Sequence, residues 1–192
     1  MAVTVDGLPS TARRLPSTVH HMLIRYLIPT PIGRMEIAGS ELGIQSVKLC
    51  QNQEQPVEIG VQDDAVLLAD HPVAACARQL TEYFAGAREV FDLKMDWGGA
   101  PEFHRQVWVE LLKIPFGKTS TYSAIAEQLN NPAAVRAVGM ANRSNPIAII
   151  VPCHRVIGKA GELRGYFYGL DTKMMLLRHE NPQRFAEQGA LF

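Results

Sequence analysis

The alternation of apolar and polar positions predicts three short strands over 21–27, 33–38 and 44–49. Thr30-Pro31-Ile32-Gly33 and Ser40-Glu41-Leu42-Gly43 supply the turns between them. Strands so closely spaced make a small antiparallel sheet. After a polar, loop-like stretch over 50–64 the period changes: Val73, Cys76, Leu80 and Phe84 recur at helical spacing within 71–84, and Gly86 closes the run. A further strand is expected over 89–95. It leads into Trp97-Gly98-Gly99-Ala100-Pro101, where glycine and proline separate two periodic segments and mark a linker.

Beyond the linker the pattern is helical. Phe103, Val107, Leu111 and Leu112 define an amphipathic helix over 101–113, ended by Ile114-Pro115-Phe116-Gly117. A second helix over 121–129 turns Ile125, Ala126 and Leu129 inward. Asn130-Asn131-Pro132 then breaks the chain, with Asn131 as N-cap and Pro132 at the first helical position of a third helix over 133–142. Two helices so joined form a helix-turn-helix. The second is built largely of Ala, Gly and Val, thin enough to approach a nucleic-acid backbone or a narrow groove, although such helices more often pack against a neighbour. Arg136 lies off its inner face, formed by Val135, Val138 and Asn142. A last helix over 170–180 is stopped by Asn181-Pro182. The fold class is therefore α/β (α+β) in two lobes: residues 21–97 a sheet-and-helix domain, residues 98–192 mostly helical. Both follow a Pro/Ser/Thr/Arg-rich extension over 1–20 that carries no apolar periodicity.

Composition adds three constraints. A chain of 192 residues with 47% hydrophobic content can bury one good core or two small ones. The net charge of zero hides an asymmetry: residues 1–97 hold 8 Lys+Arg against 12 Asp+Glu, residues 98–192 hold 11 against 7, so the second half is the one able to face phosphate. Three cysteines, Cys50, Cys76 and Cys153, are odd in number and far apart, which disfavours a disulfide framework and suits a reducing cytosol; Cys50 and Cys76 read as loop or core residues. No apolar run reaches membrane-spanning length and the start of the chain lacks a signal-peptide core, so a soluble, cytoplasmic protein is expected. Neither C-x-x-C nor H-E-x-x-H occurs, and no cofactor or metal is expected.

The chemistry concentrates in Ile150-Val151-Pro152-Cys153-His154-Arg155-Val156-Ile157-Gly158. Pro152 removes a backbone donor and biases Val151 towards an extended conformation, so a short buried strand is expected to deliver Cys153 at its end. A thiol is a nucleophile only as thiolate, and an imidazole held by an acid is a standard means of making one. On an extended segment Cys153 and His154 point to opposite faces, so the base acts through a bridging water or a bend. Glu180, in Leu176-Leu177-Arg178-His179-Glu180, is the candidate acid.

The run Pro152-Cys153-His154-Arg155-Val156, followed by Gly165-Tyr166, Gly169-Leu170, Lys173, Leu176-Leu177 and Glu180, resembles the O6-alkylguanine-DNA alkyltransferases, suicide repair proteins of alkylated DNA. The likeness extends through Tyr122, Arg136-Ala137-Val138-Gly139 and Asn145-Pro146, and covers most of 101–180. More weakly it reaches Tyr83-Phe84-Ala85-Gly86 and Thr30-Pro31-Ile32-Gly33. It implies a ribonuclease H-like first lobe and a winged-helix-like helix-turn-helix in the second. It also implies base flipping in double-stranded DNA and stoichiometric transfer of the alkyl group from O6-alkylguanine, and O4-alkylthymine, to Cys153. The family is expected to act as a monomer until it meets DNA, in the cytoplasm or, in a eukaryote, the nucleus.

The same resemblance implies individual roles. His154 and Glu180 form the proton relay, Asn145 orients the turn before the thiol, and Tyr166 meets the departing O6. Arg136 fills the space left by the flipped nucleotide, Tyr122 presses on the flanking phosphate, and Ala137, Gly139 and Arg143 complete the DNA-facing helix. The backbone at Val156 reads the guanine edge, and Arg155, Lys159 and Arg164 are phosphate neighbours. Phe167 and Tyr168 stand where many relatives carry small residues bordering the alkyl pocket. Some relatives bind zinc in the first lobe, but no set of four ligands is evident here. The rivals are a damage-binding protein or regulator without chemistry, which would need none of Cys153, His154 and Glu180, and a cysteine hydrolase, which would need no arginine on a thin helix.

Overall fold

The computed structural model describes residues 22–50 and 71–186, so the expected extension over 1–20 and nearly all of the expected loop over 50–64 lie outside the described residues. Three strands, β1 (Ile24–Thr30), β2 (Gly33–Ser40) and β3 (Gly43–Leu49), form an antiparallel sheet in chain order. Thr30 pairs with Gly33 and Ser40 with Gly43, so each turn shrinks to two residues, Pro31-Ile32 and Glu41-Leu42. One face buries Ile28, Met35, Ile37, Ile44 and Val47. Across it lies α1 (Pro72–Phe84), whose Val73, Cys76, Ala77, Leu80 and Tyr83 are buried at the i, i+3, i+4 spacing of a single stripe. His71 caps this helix by accepting the Val73 N–H at 3.1 Å. Each large apolar side chain buried here contributes roughly 1.5–3 kcal/mol.

The strand expected over 89–95 does not form. The Gln79 side chain occupies the middle of that segment instead, its amide donating to the Asp92 carbonyl and its carbonyl accepting the Asp92 N–H, both at 2.8 Å. A side chain has taken the bonds that a neighbouring strand would make. Only the end of the segment reaches the sheet: Ile44 N–H donates to the Lys94 carbonyl and Asp96 N–H to the Ile44 carbonyl, each at 2.8 Å.

The second half is assembled around α2 (Glu102–Leu112), α3 (Tyr122–Gln128), α4 (Val135–Arg143) and α5 (Leu170–Glu180), with a short α6 (Pro182–Phe185) at the end. Helix α2 buries Val107, Trp108 and Leu111. Leu112, expected inward, is 38% exposed because the 100° step places it off that stripe. The Trp108 indole N–H donates to the Ala141 carbonyl at 2.8 Å, fastening α2 to α4. Thr121 caps α3 by accepting the Ala124 N–H. Asn131 stands before the next helix as expected, but its side chain makes no capping bond. Pro132–Ala134 form a 3-10 turn, so the α-helix starts at Val135. Two-residue strands β4 (Ser120–Thr121) and β5 (Val156–Ile157) pair in parallel beside this helix-turn-helix. Among the described residues no helix is long and apolar enough to cross a membrane.

One apolar core runs from Ile28 and Ile37 of the sheet through Tyr83, Trp108 and Ile125 to Val151 and Leu176, so the two halves share an interior. They also share backbone bonds: Val47 N–H donates to the Pro146 carbonyl at 2.9 Å and Ala148 N–H to the Val47 carbonyl at 3.0 Å. The sheet thereby holds the segment that leads to Cys153. Gly43 marks where β3 meets the segment before the linker. Its φ is +146°, and a Cβ there would lie 2.6 Å from the Lys94 carbonyl oxygen. Gly43→Ala is expected to cost roughly 1–3 kcal/mol. The loss should read as a lower urea midpoint at unchanged slope, and a wild-type midpoint would mean that the backbone at Lys94 yields freely.

Candidate active site

Cys153 does not sit at the end of a strand. Ile149 adopts φ +71°, a left-handed conformation rare for a β-branched residue, and turns the chain between Ala148 and Val151. Cys153–Arg155 then form a 3-10 turn, with Cys153 N–H bonded to the Val151 carbonyl at 2.8 Å and Arg155 N–H to the Pro152 carbonyl at 3.0 Å. Three residues per turn splay Cys153, His154 and Arg155 about 120° apart, so thiol and imidazole leave the backbone in different directions. The local reason is tertiary: Ile149 and Ile150 are both buried, and Ala148 is fixed to Val47.

His154 Nε2 lies 2.8 Å from Glu180 Oε1, and both side chains are buried. The carboxylate accepts, so Nε2 carries the hydrogen. Nδ1 is then left as a lone-pair acceptor with no partner among the described residues, Cys153 Sγ included. Glu180 lies on the last turn of α5, the helix ending where Asn181-Pro182 stops it. Burial would raise the Glu180 carboxyl, but the hydrogen bonds and charges of His154 and Arg155 outweigh it and hold the group far below the usual carboxylate range. Burial pushes the His154 imidazole down, opposed by Glu180, and pushes the Cys153 thiol up, opposed by the Asn145 amide and the Lys173 charge. Burial thus favours the neutral thiol and the neutral imidazole over their ionised forms.

Asn145 ties the approach together: its Nδ2 donates to the Val151 carbonyl at 2.8 Å and its Oδ1 accepts the Ile147 N–H at 3.0 Å. Tyr166 is half-buried, and burial together with the nearby Cys153 sulfur raises its hydroxyl well above the ordinary tyrosine value. Tyr168 is half-buried, its hydroxyl in reach of the Leu49 backbone at the end of β3 and its ring 5.7 Å from that of Tyr166; Phe167 is 54% exposed, its ring 5.0 Å from that of Tyr168. Val156 is fully buried, and its carbonyl accepts from Lys173 Nζ at 2.6 Å. On α4, Arg136, Ala137 and Arg143 are exposed. Gly139 faces α3, where a Cβ would meet the Tyr122 ring at 3.9 Å. The Tyr122 hydroxyl donates to the Arg164 carbonyl at 3.2 Å.

Arg155 is no phosphate neighbour: it is buried, its guanidinium grips both oxygens of Glu180 at 2.8 and 3.0 Å, and it donates to the Ile114 carbonyl at 2.6 Å. Lys159 and Arg164 are exposed, and Arg164 pairs with Glu162 at 2.7 Å.

Three buried polar groups at the site had no role in the sequence reading. Asn142 donates to the Cys153 carbonyl at 3.4 Å, Lys173 donates to the Val156 and Arg164 carbonyls, and the Tyr83 hydroxyl donates to Glu180 Oε1 at 2.9 Å. Each lies on an otherwise apolar helical stripe, and a polar residue in that position is the signal available to a sequence reader. Burial pushes the Lys173 ammonium down to about 8, against the pull of Cys153. Among the described residues no three His, Cys, Asp or Glu side chains are grouped to hold a metal ion.

Known proteins are similar to this chain along most of its length. Residues 102–182 match the family model of the 6-O-methylguanine DNA methyltransferase DNA-binding domain, and residues 23–97 that of the same family's ribonuclease-like domain. The methylated-DNA–protein-cysteine methyltransferase of Methanosarcina acetivorans is 44% identical over 154 residues, covering 80% of this chain and 96% of the relative. That of Mycolicibacterium paratuberculosis is 42% identical, covering 80% and 89%. The crystal structure of Mycobacterium tuberculosis O6-methylguanine methyltransferase superposes with a TM-score of 0.70 at 38% identity, over 84% of this chain and 94% of that one. The Mycobacterium tuberculosis protein in complex with DNA superposes with a TM-score of 0.69 at 38% identity, over 81% and 91%. With both halves matched in order and relatives above 40% identity along nearly their whole length, this chain belongs to the 6-O-methylguanine DNA methyltransferase family.

Proposed function

We propose that the protein repairs DNA by moving the alkyl group of O6-alkylguanine, and of O4-alkylthymine, irreversibly onto Cys153. The observation that carries this reading is a buried cysteine followed by a buried imidazole whose Nε2 lies 2.8 Å from the Glu180 carboxylate, in the same half of the chain as the exposed Arg136 of α4. His154 Nδ1 takes the thiol proton through one bridging water, Glu180 stabilises the imidazolium, and Asn145 and Lys173 stabilise the thiolate. The sulfur attacks the alkyl carbon, the carbon–O6 bond breaks, and its electron pair goes to the purine. The proton held on His154 balances that charge. Tyr166 stabilises the departing oxygen by donating a hydrogen bond; with its hydroxyl raised well above the ordinary value, it keeps its proton.

The target atom is out of reach inside a stacked duplex, so the nucleotide is flipped, at a cost of a few kcal/mol. Arg136 enters from α4 to take its place. Ala137, Gly139 and Arg143 let that helix lie close, and Tyr122 meets the adjoining phosphate. Val156 offers its backbone to the guanine edge, its carbonyl keeping a second lone pair beside the Lys173 bond. The partner is double-stranded DNA bearing the lesion, bound by a monomer in the cytoplasm. The residues fall into two units, 21–97 bracing the site and 98–192 holding DNA and accepting the alkyl group.

The product is a thioether with no ionisable proton and no good leaving group, so each molecule reacts once. Mass spectrometry after incubation with O6-methylguanine DNA should find one added methyl at Cys153, with product equal to protein. Cys153→Ala should abolish transfer and leave DNA binding nearly intact. Turnover beyond one product per protein would rule out this mechanism in favour of a hydrolase.

Arg136→Ala should slow repair of duplex DNA far more than reaction with the free O6-methylguanine base, because only the duplex demands unstacking. Equal losses on the two substrates would point to a folding defect.

Tyr168, half-buried and close enough to Cys153 to feel its charge, narrows the alkyl pocket. Methyl should fit, whereas a benzyl group meets overpacking of about 1–3 kcal/mol. Tyr168→Gly should therefore accelerate reaction with O6-benzylguanine, and equal rates in the two proteins would mean an open pocket.

A further inference from the structure

Tyr83 belongs to α1, on the sheet side of the molecule, 97 residues from Glu180. It is fully buried, its ring enclosed by Phe84, Phe91, Phe116 and His179 at centroid distances of 5.1, 5.6, 6.1 and 4.8 Å. A buried phenol requires a partner for its hydroxyl, and the one it has is the oxygen that also serves His154. Glu180 Oε1 accepts from Tyr83 at 2.9 Å, from His154 at 2.8 Å and from Arg155 at 3.0 Å. Oε2 accepts from Arg155 at 2.8 Å and from the Gly117 N–H at 3.2 Å. A carboxylate oxygen has two in-plane lone pairs, so three donors on Oε1 compete, and what Tyr83 takes is withdrawn from His154.

We infer that Tyr83 is a positioning residue of the transfer reaction: its hydroxyl fixes the Glu180 carboxylate and tempers the basicity that Glu180 confers on His154, and so the readiness of Cys153 to release its proton. The inference rests on the alkyl-transfer reading of Cys153. Other titratable groups face the cluster. His179 Nε2 is engaged by the Tyr83 carbonyl at 2.8 Å, Lys173 Nζ by the carbonyls of Val156 and Arg164, and Tyr166 lies near Cys153, Tyr83 and Glu180. Of the side chains bonded to Oε1, Tyr83 alone comes from the sheet-bearing half, which thereby acts on the chemistry directly.

The test uses the full chain and iodoacetamide, with alkylation of Cys153 followed by peptide mass spectrometry across pH so that Cys50 is scored separately. Tyr83→Phe keeps the ring and removes the donor. Its rate below the wild-type midpoint should rise about three- to tenfold, the worth of one ordinary hydrogen bond, and the midpoint should move to lower pH while thermal stability falls. Replacement of Tyr83 by 3-fluorotyrosine, a stronger donor of nearly the same shape, should move the midpoint the opposite way, and it decides the matter should Tyr83→Phe fail to fold. A uniform loss of rate with the midpoint unmoved, or an unchanged profile in the fluorinated protein, would overturn the role. Methyl transfer from O6-methylguanine DNA by the wild type is scored in parallel. Its absence overturns the reading on which the inference rests, whereas transfer with an unmoved Tyr83 profile overturns the role of Tyr83 alone.

Discussion

A single buried carboxylate organises the site. An ionised Glu180 away from water is costly unless every lone pair is met, and here five hydrogen bonds meet it, from α1, from the loop before β4, from the turn carrying the thiol and from the buried arginine beside it. Each donor is fixed in turn. Arg155 is held by the Ile114 carbonyl, Tyr83 by its cage of rings, and Gly117 by a left-handed φ of +68° that brings its backbone against the end of α5; a Cβ there would lie 2.9 Å from the Glu180 carbonyl oxygen. Removing one partner would leave the others with an undercompensated charge. Position and protonation of His154 therefore follow from packing that lies well outside the reacting atoms.

The other half of the site is governed by backbone strain. Ile149 occupies a conformation costing roughly 1–3 kcal/mol in order to turn the chain into the Cys153 turn. It is held there by the burial of its own side chain, by Asn145 beneath the turn and by the two bonds between β3 and residues 146–148. Rigidity at the thiol is thus supplied in part by the sheet of the first half, whose β3 is bonded directly to the segment before the turn.

Much of this was legible in the sequence, and the parts that were not share a cause. Helix α5 was readable at both ends because its apolar period is regular and Asn181-Pro182 forbids continuation. The pairing of His154 with Glu180 was readable because the run from Pro152 to Glu180 resembles the alkyltransferases, a resemblance that implies an acid at that position for the imidazole. The strand over 89–95 was misread because Gln79, remote in sequence, supplies the bonds a strand would have made. Arg155 was misread because arginine is by type a surface residue, and only the folded chain brings a carboxylate 25 positions away against it. The turn at Ile149 contradicts the extended preference of its own residue type. In each case a contact between distant segments overrode the local signal, and such contacts carry no periodicity.

The span between Tyr83 and Glu180 bears on when the protein becomes reactive. During synthesis the sheet and α1 emerge early, whereas Glu180 is among the last residues described. Contacts of such sequence separation close late, since loop entropy must be overcome before they contribute. A growing chain therefore carries Cys153 for some time before the carboxylate that fixes His154 is present. That order of assembly leaves the last contacts of the carboxylate network, and with them the fixed orientation of His154 next to Cys153, to the end of synthesis, when both halves are present.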